Sequence, residues 1–163
     1  MALDTHFVSV LASVAGANKR HLALFNAVGS GKIIRIFSIR ASGAPTAAVT
    51  GLVIPLYSVG ISTVPTGGGN ATFIKADPAS VNLPAQITAH IAATGGAAEE
   101  ASSFGCGTTS GEESAQTNET TIYQASFNGS QAFTCPEGRG ILIKQGGLAS
   151  AGAVSIVVSF GVS

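Results

Sequence analysis

A glycine-rich turn between two apolar segments constrains the fold of this chain more than any other feature. The turn spans residues 26–31 (Asn-Ala-Val-Gly-Ser-Gly), and Leu, Ile and Phe are frequent on both sides of it. Glycine adopts the positive φ angles of tight turns, and β-branched and aromatic side chains favour strands. We therefore predict a β-hairpin in which residues 21–26 pair with residues 32–40.

The same turn contains Gly-Ser-Gly-Lys, which resembles the end of a phosphate-binding loop but lacks two of its required residues. A P-loop has a Gly five residues before the Gly of its Gly-Lys pair, and the Ser or Thr after the Lys binds magnesium. Asn26 and Ile33 occupy these two positions here. The apolar residues after the turn have strand spacing, whereas phosphate binds at the N-terminus of a helix. We predict a structural turn and no nucleotide site.

Strand patterns recur along most of the chain. Besides the predicted hairpin, they cover residues 6–14, 50–59, 71–75, 86–92, 121–127, 131–134, 141–145 and 154–162. Pro55 predicts that its strand lies at a sheet edge or a bulge, and Asp77-Pro78 predicts one helical turn. Turn residues recur about every 8–12 positions. This pattern indicates a single all-β domain over residues 1–163, either a sandwich or a barrel.

The composition indicates a protein that associates. A chain of 163 residues suits one domain and can bury about 70% of its unfolded surface. Only 10% of its residues are charged, against about 25% in an average soluble protein, and its net charge is zero. So little charge protects a free monomer poorly against association. We expect other subunits to cover much of the surface; an alanine-rich β-domain of ordinary solubility is the alternative.

Residues 95–119 differ from the rest of the chain because they are small, polar and acidic, with no apolar periodicity. We predict a long loop there, since structureless segments of this length are usually functional or disordered. The candidate contact residues are Glu99, Glu100, Glu112 and Glu113 in this loop and Lys19, Arg20, Lys32, Arg35 and Arg40 near the predicted hairpin. They could form two separately solvated patches. Alternatively, the loop of one subunit could contact the basic patch of its neighbour and fix its register.

Cys106 and Cys135 are the two cysteines of the chain. A disulfide between them would attach the predicted loop to the sheet and close a ring of about 30 residues, which contributes about 3–4 kcal/mol in the chain-entropy model. A cytoplasmic origin argues against the bond, but a particle released from a cell could oxidise later. The sequence therefore leaves open whether Cys106 and Cys135 form a disulfide or remain free thiols.

Patterns of catalytic and metal-binding residues are missing from the sequence. His6, His21 and His90 lie inside predicted strands, with no Asp, Glu or Cys at the short spacings of metal ligands. There is no Gly-x-Ser-x-Gly nucleophile elbow, and adjacent glutamates on a loop cannot keep the fixed separation of glycosidase carboxylates. We therefore predict no catalytic, cofactor-binding or metal site and no enzymatic activity.

Nucleic acid and membranes are disfavoured as partners. The net charge of zero and the lack of a strongly basic face argue against direct binding of nucleic acid. The charge-free stretch of residues 78–98 is interrupted by Pro84 and a Gly-Gly pair, so we expect no membrane-spanning segment. Asp4 precedes the first apolar run without any Lys or Arg, unlike in a signal peptide, so we expect assembly in a cytoplasm.

Two segments resemble structural proteins of tailed bacteriophages. The first is residues 22–39 (LALFNAVGSGKIIRIFSI), and the second is residues 135–145 (CPEGRGILIKQ) with the alternating strand that ends the chain. The resemblance covers about fifty residues at the two ends and none of the acidic middle. It implies a jelly-roll-like antiparallel β-sandwich in a virion. Within that family it is most similar to a capsid decoration (cement) protein, a homotrimer on the exterior of a shell of major capsid protein.

The resemblance also implies where contacts would lie. We expect residues 1–5, as an N-terminal arm, and the basic hairpin to contact the shell or a neighbouring subunit. The acidic loop would take part in trimer contacts or face solvent. A tail or head–tail connector subunit would share the same sandwich. A glycan- or receptor-binding jelly roll would need exposed aromatic side chains; the chain has no Trp, and Phe104 is the candidate for stacking on a sugar.

Overall fold

The computed structural model describes residues 4–44, 53–110, 119–125, 132–147 and 152–163, and within these ranges the chain forms strands and no helix. The strands are β1 (Asp4–Val14), β2 (Arg20–Asn26), β3 (Ile34–Ala44), β4 (Val53–Ile61), β5 (Gly69–Asn70), β6 (Phe73–Lys75), β7 (Ile87–Ile91), β8 (Glu99–Ser110), β9 (Thr120–Gln124), β10 (Phe133–Cys135), β11 (Arg139–Gln145) and β12 (Ala153–Val162).

The strands form two antiparallel sheets that pack face to face. Sheet A has the order β10-β3-β12-β1-β6, and β9 pairs with β3 beyond the end of β10. Sheet B has the order β5-β7-β2-β11-β4-β8. The prediction of an all-β antiparallel sandwich is therefore confirmed.

Strand pairing is nested from the two ends of the chain inward. β1 pairs with β12, β2 with β11, β3 with β10, and β4 with β8. These four pairs alternate between sheet A and sheet B. The chain therefore crosses from one sheet to the other after β1, β2 and β3.

The predicted hairpin of residues 21–26 and 32–40 is wrong. Both segments are strands, but β2 lies in sheet B and β3 lies in sheet A, so the turn between them connects the two sheets. Each strand takes its partners from distant parts of the chain: β2 pairs with β7 and β11, and β3 pairs with β9, β10 and β12. The apolar pattern identifies strands but does not show which strands pair.

The predicted loop over residues 95–119 is also wrong between residues 99 and 110. Glu99–Ser110 is strand β8, which pairs with β4 through two bulges. Strand β8 is rich in Gly and Ser and has no apolar periodicity. Its glycines allow β9 to pack closely against it. A Cβ atom at Gly105 would lie 2.6 Å from the carbonyl oxygen of Ile122. Glu112 and Glu113 lie outside the described residues.

Two of the five residues expected to form an N-terminal arm are part of a strand. Asp4 and Thr5 belong to β1 and pair with Val162 and Gly161. Residues 1–3 lie outside the described residues. The start of β1 is therefore held by the end of β12.

Two features of local geometry differ from the sequence predictions. Asp77 forms a capped turn in place of a helical one: its carboxylate accepts a hydrogen bond from the Ala79 amide at 2.8 Å and its carbonyl one from the Ser80 amide at 2.9 Å. Pro55 lies on β4, between β11 and β8 and not at an edge. Pairing between β4 and β11 ends at Leu56, so no β11 residue pairs with the proline.

The main core lies between the two sheets. The regular alternation of β12 directs Val154, Ile156, Val158, Phe160 and Val162 into it. A second, smaller cluster lies on the outer side of sheet B, where Ala97 covers Phe25, Val59 and Leu142. Residues 21–26 of β2 are therefore buried on both faces.

Candidate functional site

Acidic and basic candidate residues meet within one chain on sheet B. The Glu99 carboxylate accepts a hydrogen bond from Lys144 Nζ on β11 and lies 4.0 Å from the Arg20 guanidinium on β2. Glu100 forms an ion pair with Arg139. Arg20 also donates to the carbonyl oxygen of Gly96 at 3.2 Å. These ion pairs and the hydrogen bond to Gly96 form within one chain, and they hold residues 96–100 against sheet B.

The remaining basic candidates do not form one patch. Arg40 on β3 pairs with Glu119 at 3.1 Å on the surface of sheet A, away from Arg20 on sheet B. Within the described part of the chain, no ion pair involves Lys19, Lys32 or Arg35. Because β2 and β3 belong to opposite sheets, the basic residues predicted to lie together are divided between two surfaces.

The outer face of sheet A carries a shallow depression of about 450 Å³. Its lining is mostly small and polar, from Phe7, Ser38, Arg40, Ala41, Ser42, Glu119, Ser155, Val157 and Ser159. Strand register places Ile74, Phe7, Ser159 and Ser38 in one row across four strands. The small serine side chains leave a depression at the centre of this face. Arg40 and Glu119 are the charged residues in its lining.

Apolar side chains are exposed on the same sheet. Ile74 is 58% exposed, Val157 is 40% exposed, and Leu11 near the end of β1 is 74% exposed. Single exposed apolar residues are ordinary, but several on one weakly charged face indicate a contact surface.

The turn between β2 and β3 binds a carboxylate from the same chain. Glu137 Oε1 accepts hydrogen bonds from the Gly31 amide at 2.6 Å and the Ser30 hydroxyl at 3.4 Å. The Gly31 and Gly29 backbone amides lower the pKa of Glu137. Gly29 and Gly31 have φ angles of 90° and 64°, conformations that other residues rarely adopt.

His21 is fully buried near the start of β2. Its Nδ1 lies 2.8 Å from the Ser13 hydroxyl. Burial lowers the pKa of His21 to about 4, so the imidazole is neutral at neutral pH. His6 stacks on Phe160 with a centroid separation of 5.8 Å. In the described ranges, no three His, Cys, Asp or Glu side chains lie close enough to share a metal ion.

Cys106 and Cys135 are both free thiols, so the disulfide considered from the sequence is not formed. Cys106 is exposed on β8 in sheet B, and Cys135 is buried on β10 in sheet A. Burial raises the pKa of Cys135 to about 12, which keeps this thiol protonated.

The ring of Phe104 packs against two other aromatic rings. It stacks on Phe133 at a centroid distance of 3.9 Å and contacts Tyr123 edge-on at 5.1 Å. The Tyr123 hydroxyl in turn accepts a hydrogen bond from the Phe133 amide at 2.8 Å. These three residues join β8 to β9 and β10, so Phe104 fastens the two sheets together.

The chain matches no protein-family model, no curated protein and no solved structure. No helix long and apolar enough to cross a membrane occurs among the described residues. Three residues of the site, Glu137, Arg139 and Lys144, are not predictable from local sequence because their partners lie far away in the chain. Nothing in the sequence around Glu137, which follows Cys-Pro, indicates that its carboxylate contacts the Gly-Ser-Gly turn.

Proposed function

We propose that the chain is a structural subunit of a virion, a jelly roll that binds the assembled shell of a tailed bacteriophage as a decoration (cement) protein. The nested pairing of β1 with β12, β2 with β11, β3 with β10 and β4 with β8 supports a jelly roll. Capsid domains are among the proteins that use this double-sheet arrangement. The proposed site of action is the capsid exterior, after synthesis in the host cytoplasm.

The outer face of sheet A is the feature that best supports a role in assembly. It combines exposed Ile74 and Val157 with small serines and one charged pair, Arg40 and Glu119. This face replaces the basic and acidic candidates as the proposed contact surface, because Glu99 and Glu100 already have partners in the same chain. The proposed partners are two further copies of the chain in a homotrimer and the major capsid protein.

Such a protein would stabilise the shell through binding alone. A ligand that binds the assembled shell and not its dissociated subunits shifts the equilibrium towards assembly. The shift is about 2.7 kcal/mol per site when the free concentration is about 100 times Kd. No catalytic group is needed for this role.

Light scattering of the purified protein, followed by sedimentation with expanded phage shells that lack it, tests the proposal. We expect a trimer that co-sediments with the shells and raises their melting temperature. Val157→Asp and Ile74→Asp should reduce co-sedimentation at least tenfold. Val64→Asp is the matched control, since Val64 is 48% exposed but lies between β4 and β5, on the sheet B side. Circular dichroism would verify that each variant is folded.

Other assembly states would point to other structural roles. A hexamer or a tube that ignores shells would indicate a tail or head–tail connector subunit. A monomer that ignores shells would contradict both assembly roles.

The depression on sheet A favours glycan binding as a second candidate. Lectins also use jelly rolls, and Arg40 with Glu119 offers donors and acceptors for sugar hydroxyls beside the ring of Phe7. Saturation-transfer NMR with a panel of monosaccharides would test it. We expect transfer that Arg40→Ala abolishes; a panel without any transfer would rule the candidate out.

A further inference from the structure

The turn between β2 and β3 has the geometry of an anion-binding site. The Gly31 amide and the Ser30 hydroxyl donate to the Glu137 carboxylate, and the Gly31 and Gly29 amides lower the pKa of this carboxyl. Successive amides in turns with positive φ angles form a concave nest that binds anions. The turn ends in Gly-Lys like a phosphate-binding loop but lacks two residues that such a loop requires. The structure nevertheless places an oxyanion in it.

We propose that residues 29–31, here called the anion loop, are a binding site for small oxyanions whose occupant in the folded chain is the Glu137 carboxylate. A free carboxylate or phosphate occupies the loop when this side chain is removed. The shared chemistry is a compact anion whose oxygens accept two amides and one hydroxyl. The proposal does not depend on the role of the chain in a virion.

The anion loop is held in shape by contacts that do not involve Glu137. Asn26 Nδ2 donates to the carbonyl oxygens of Lys32 at 2.8 Å and Cys135 at 3.1 Å. The Lys32 amide donates to the Ser30 hydroxyl at 3.1 Å. Ile33 and Ser163 exchange two backbone hydrogen bonds, at 3.1 and 3.2 Å. Because these contacts fix both sides of the loop, removal of the carboxylate leaves the donors in place.

The loop is also accessible to a ligand. Gly31 and Glu137 are exposed, so a small anion can reach the donors from solvent. The half-buried Lys32 follows the loop and, in the described residues, has no ion-pair partner. Its positive charge adds to the attraction for an anion. Arg139, two residues beyond Glu137, is already paired with Glu100.

The test uses the full chain with Glu137→Ala and two probes, sodium formate and inorganic phosphate. We expect the variant to melt at a lower temperature than the wild type and to recover in a saturable way with formate or phosphate. Sodium chloride at equal ionic strength should not restore it. Glu100→Ala is the matched control, because it removes another exposed carboxylate from an ion pair but opens no nest.

Amide NMR shifts provide a second measurement that does not depend on melting. The Gly29 and Gly31 amides of Glu137→Ala should shift with the concentration of the probe, and those of the wild type should shift far less. If Glu137→Ala does not fold, Glu137→Ser, whose side chain is too short to fill the loop, is titrated in the same way. Recovery by both probes assigns the site to carboxylates and phosphates, recovery by formate alone restricts it to carboxylates, and recovery by phosphate alone restricts it to phosphates. Equal responses of variant and wild type, or no response of these amides, would overturn the proposal.

Discussion

Lys144 on β11 reaches across β4 to donate a hydrogen bond to Glu99, the first residue of β8. The side chains of Lys144 and Glu99 are 28% and 31% exposed. The contact joins a segment predicted to be a free acidic loop to the middle of sheet B. It therefore explains why Glu99 is not available to a neighbouring subunit.

Loss of this contact should have a small and measurable effect. We expect Glu99→Gln to lower the free energy of unfolding by about 0.5–1 kcal/mol, because partly exposed ion pairs are screened by solvent. Urea unfolding at low and high salt would measure it, and the difference should shrink at high salt. Glu119→Gln, which breaks the more exposed pair with Arg40, should cost less. A larger loss for Glu119→Gln would contradict this ranking.

Stability should fall in mild acid because of His21. Its imidazole binds a proton near pH 6.5 in the unfolded chain but only near pH 4 in the folded protein. Acidification between these values therefore stabilises the unfolded state, and the full loss is about 3 kcal/mol. Urea unfolding between pH 7.5 and pH 4 would show this slope. In His21→Gln the slope over this range should decrease; an unchanged slope would contradict the assignment.

The close packing of β8 on β9 predicts that Gly105 cannot be replaced. A Cβ atom at this position would lie 2.6 Å from the Ile122 carbonyl oxygen and 2.7 Å from the Ser58 hydroxyl. We expect Gly105→Ala to destabilise the protein by about 1–3 kcal/mol, the usual cost of overpacking. Gly69→Ala is the control, since nothing lies within 4 Å of its Cβ position. Thermal melts that show equal losses for the two variants would refute the packing argument.

The two thiols should react at very different rates. Cys106 is exposed, whereas Cys135 is buried and its thiol has a pKa raised to about 12. With a disulfide reagent at neutral pH, we expect one thiol per chain to react in the native protein and both in denaturant. A denatured protein without reactive thiols would show that the cysteines are bonded.

Local patterns predicted the class of the fold because they depend on neighbouring residues. The alternation of β12 and the strand character of β2 and β3 were both correct. Which strands pair could not be predicted, because β2 and β3 pair with segments near the other end of the chain. β8 escaped prediction because a strand rich in Ser, Thr and Gly at a sheet edge has no apolar period.

The candidate sites were predictable only in part, for the same reason. The sequence identified the charged residues around Glu99 and Arg20 and the turn at Gly31. It gave no indication that Glu137, 106 positions away from Gly31, would occupy that turn. Contacts of this kind follow from the topology, which brings β10 and β11 beside the ends of β3 and β2.

The position of β12 between β1 and β3 has a consequence for biosynthesis. The strand that fills the centre of sheet A follows all the other described strands in the sequence, so it is synthesised after them. Until then β1 and β3 each present an open edge, and open edges are templates for aggregation. We therefore expect chains truncated before residue 153 to aggregate unless a chaperone binds them, and sheet A to be completed late in folding.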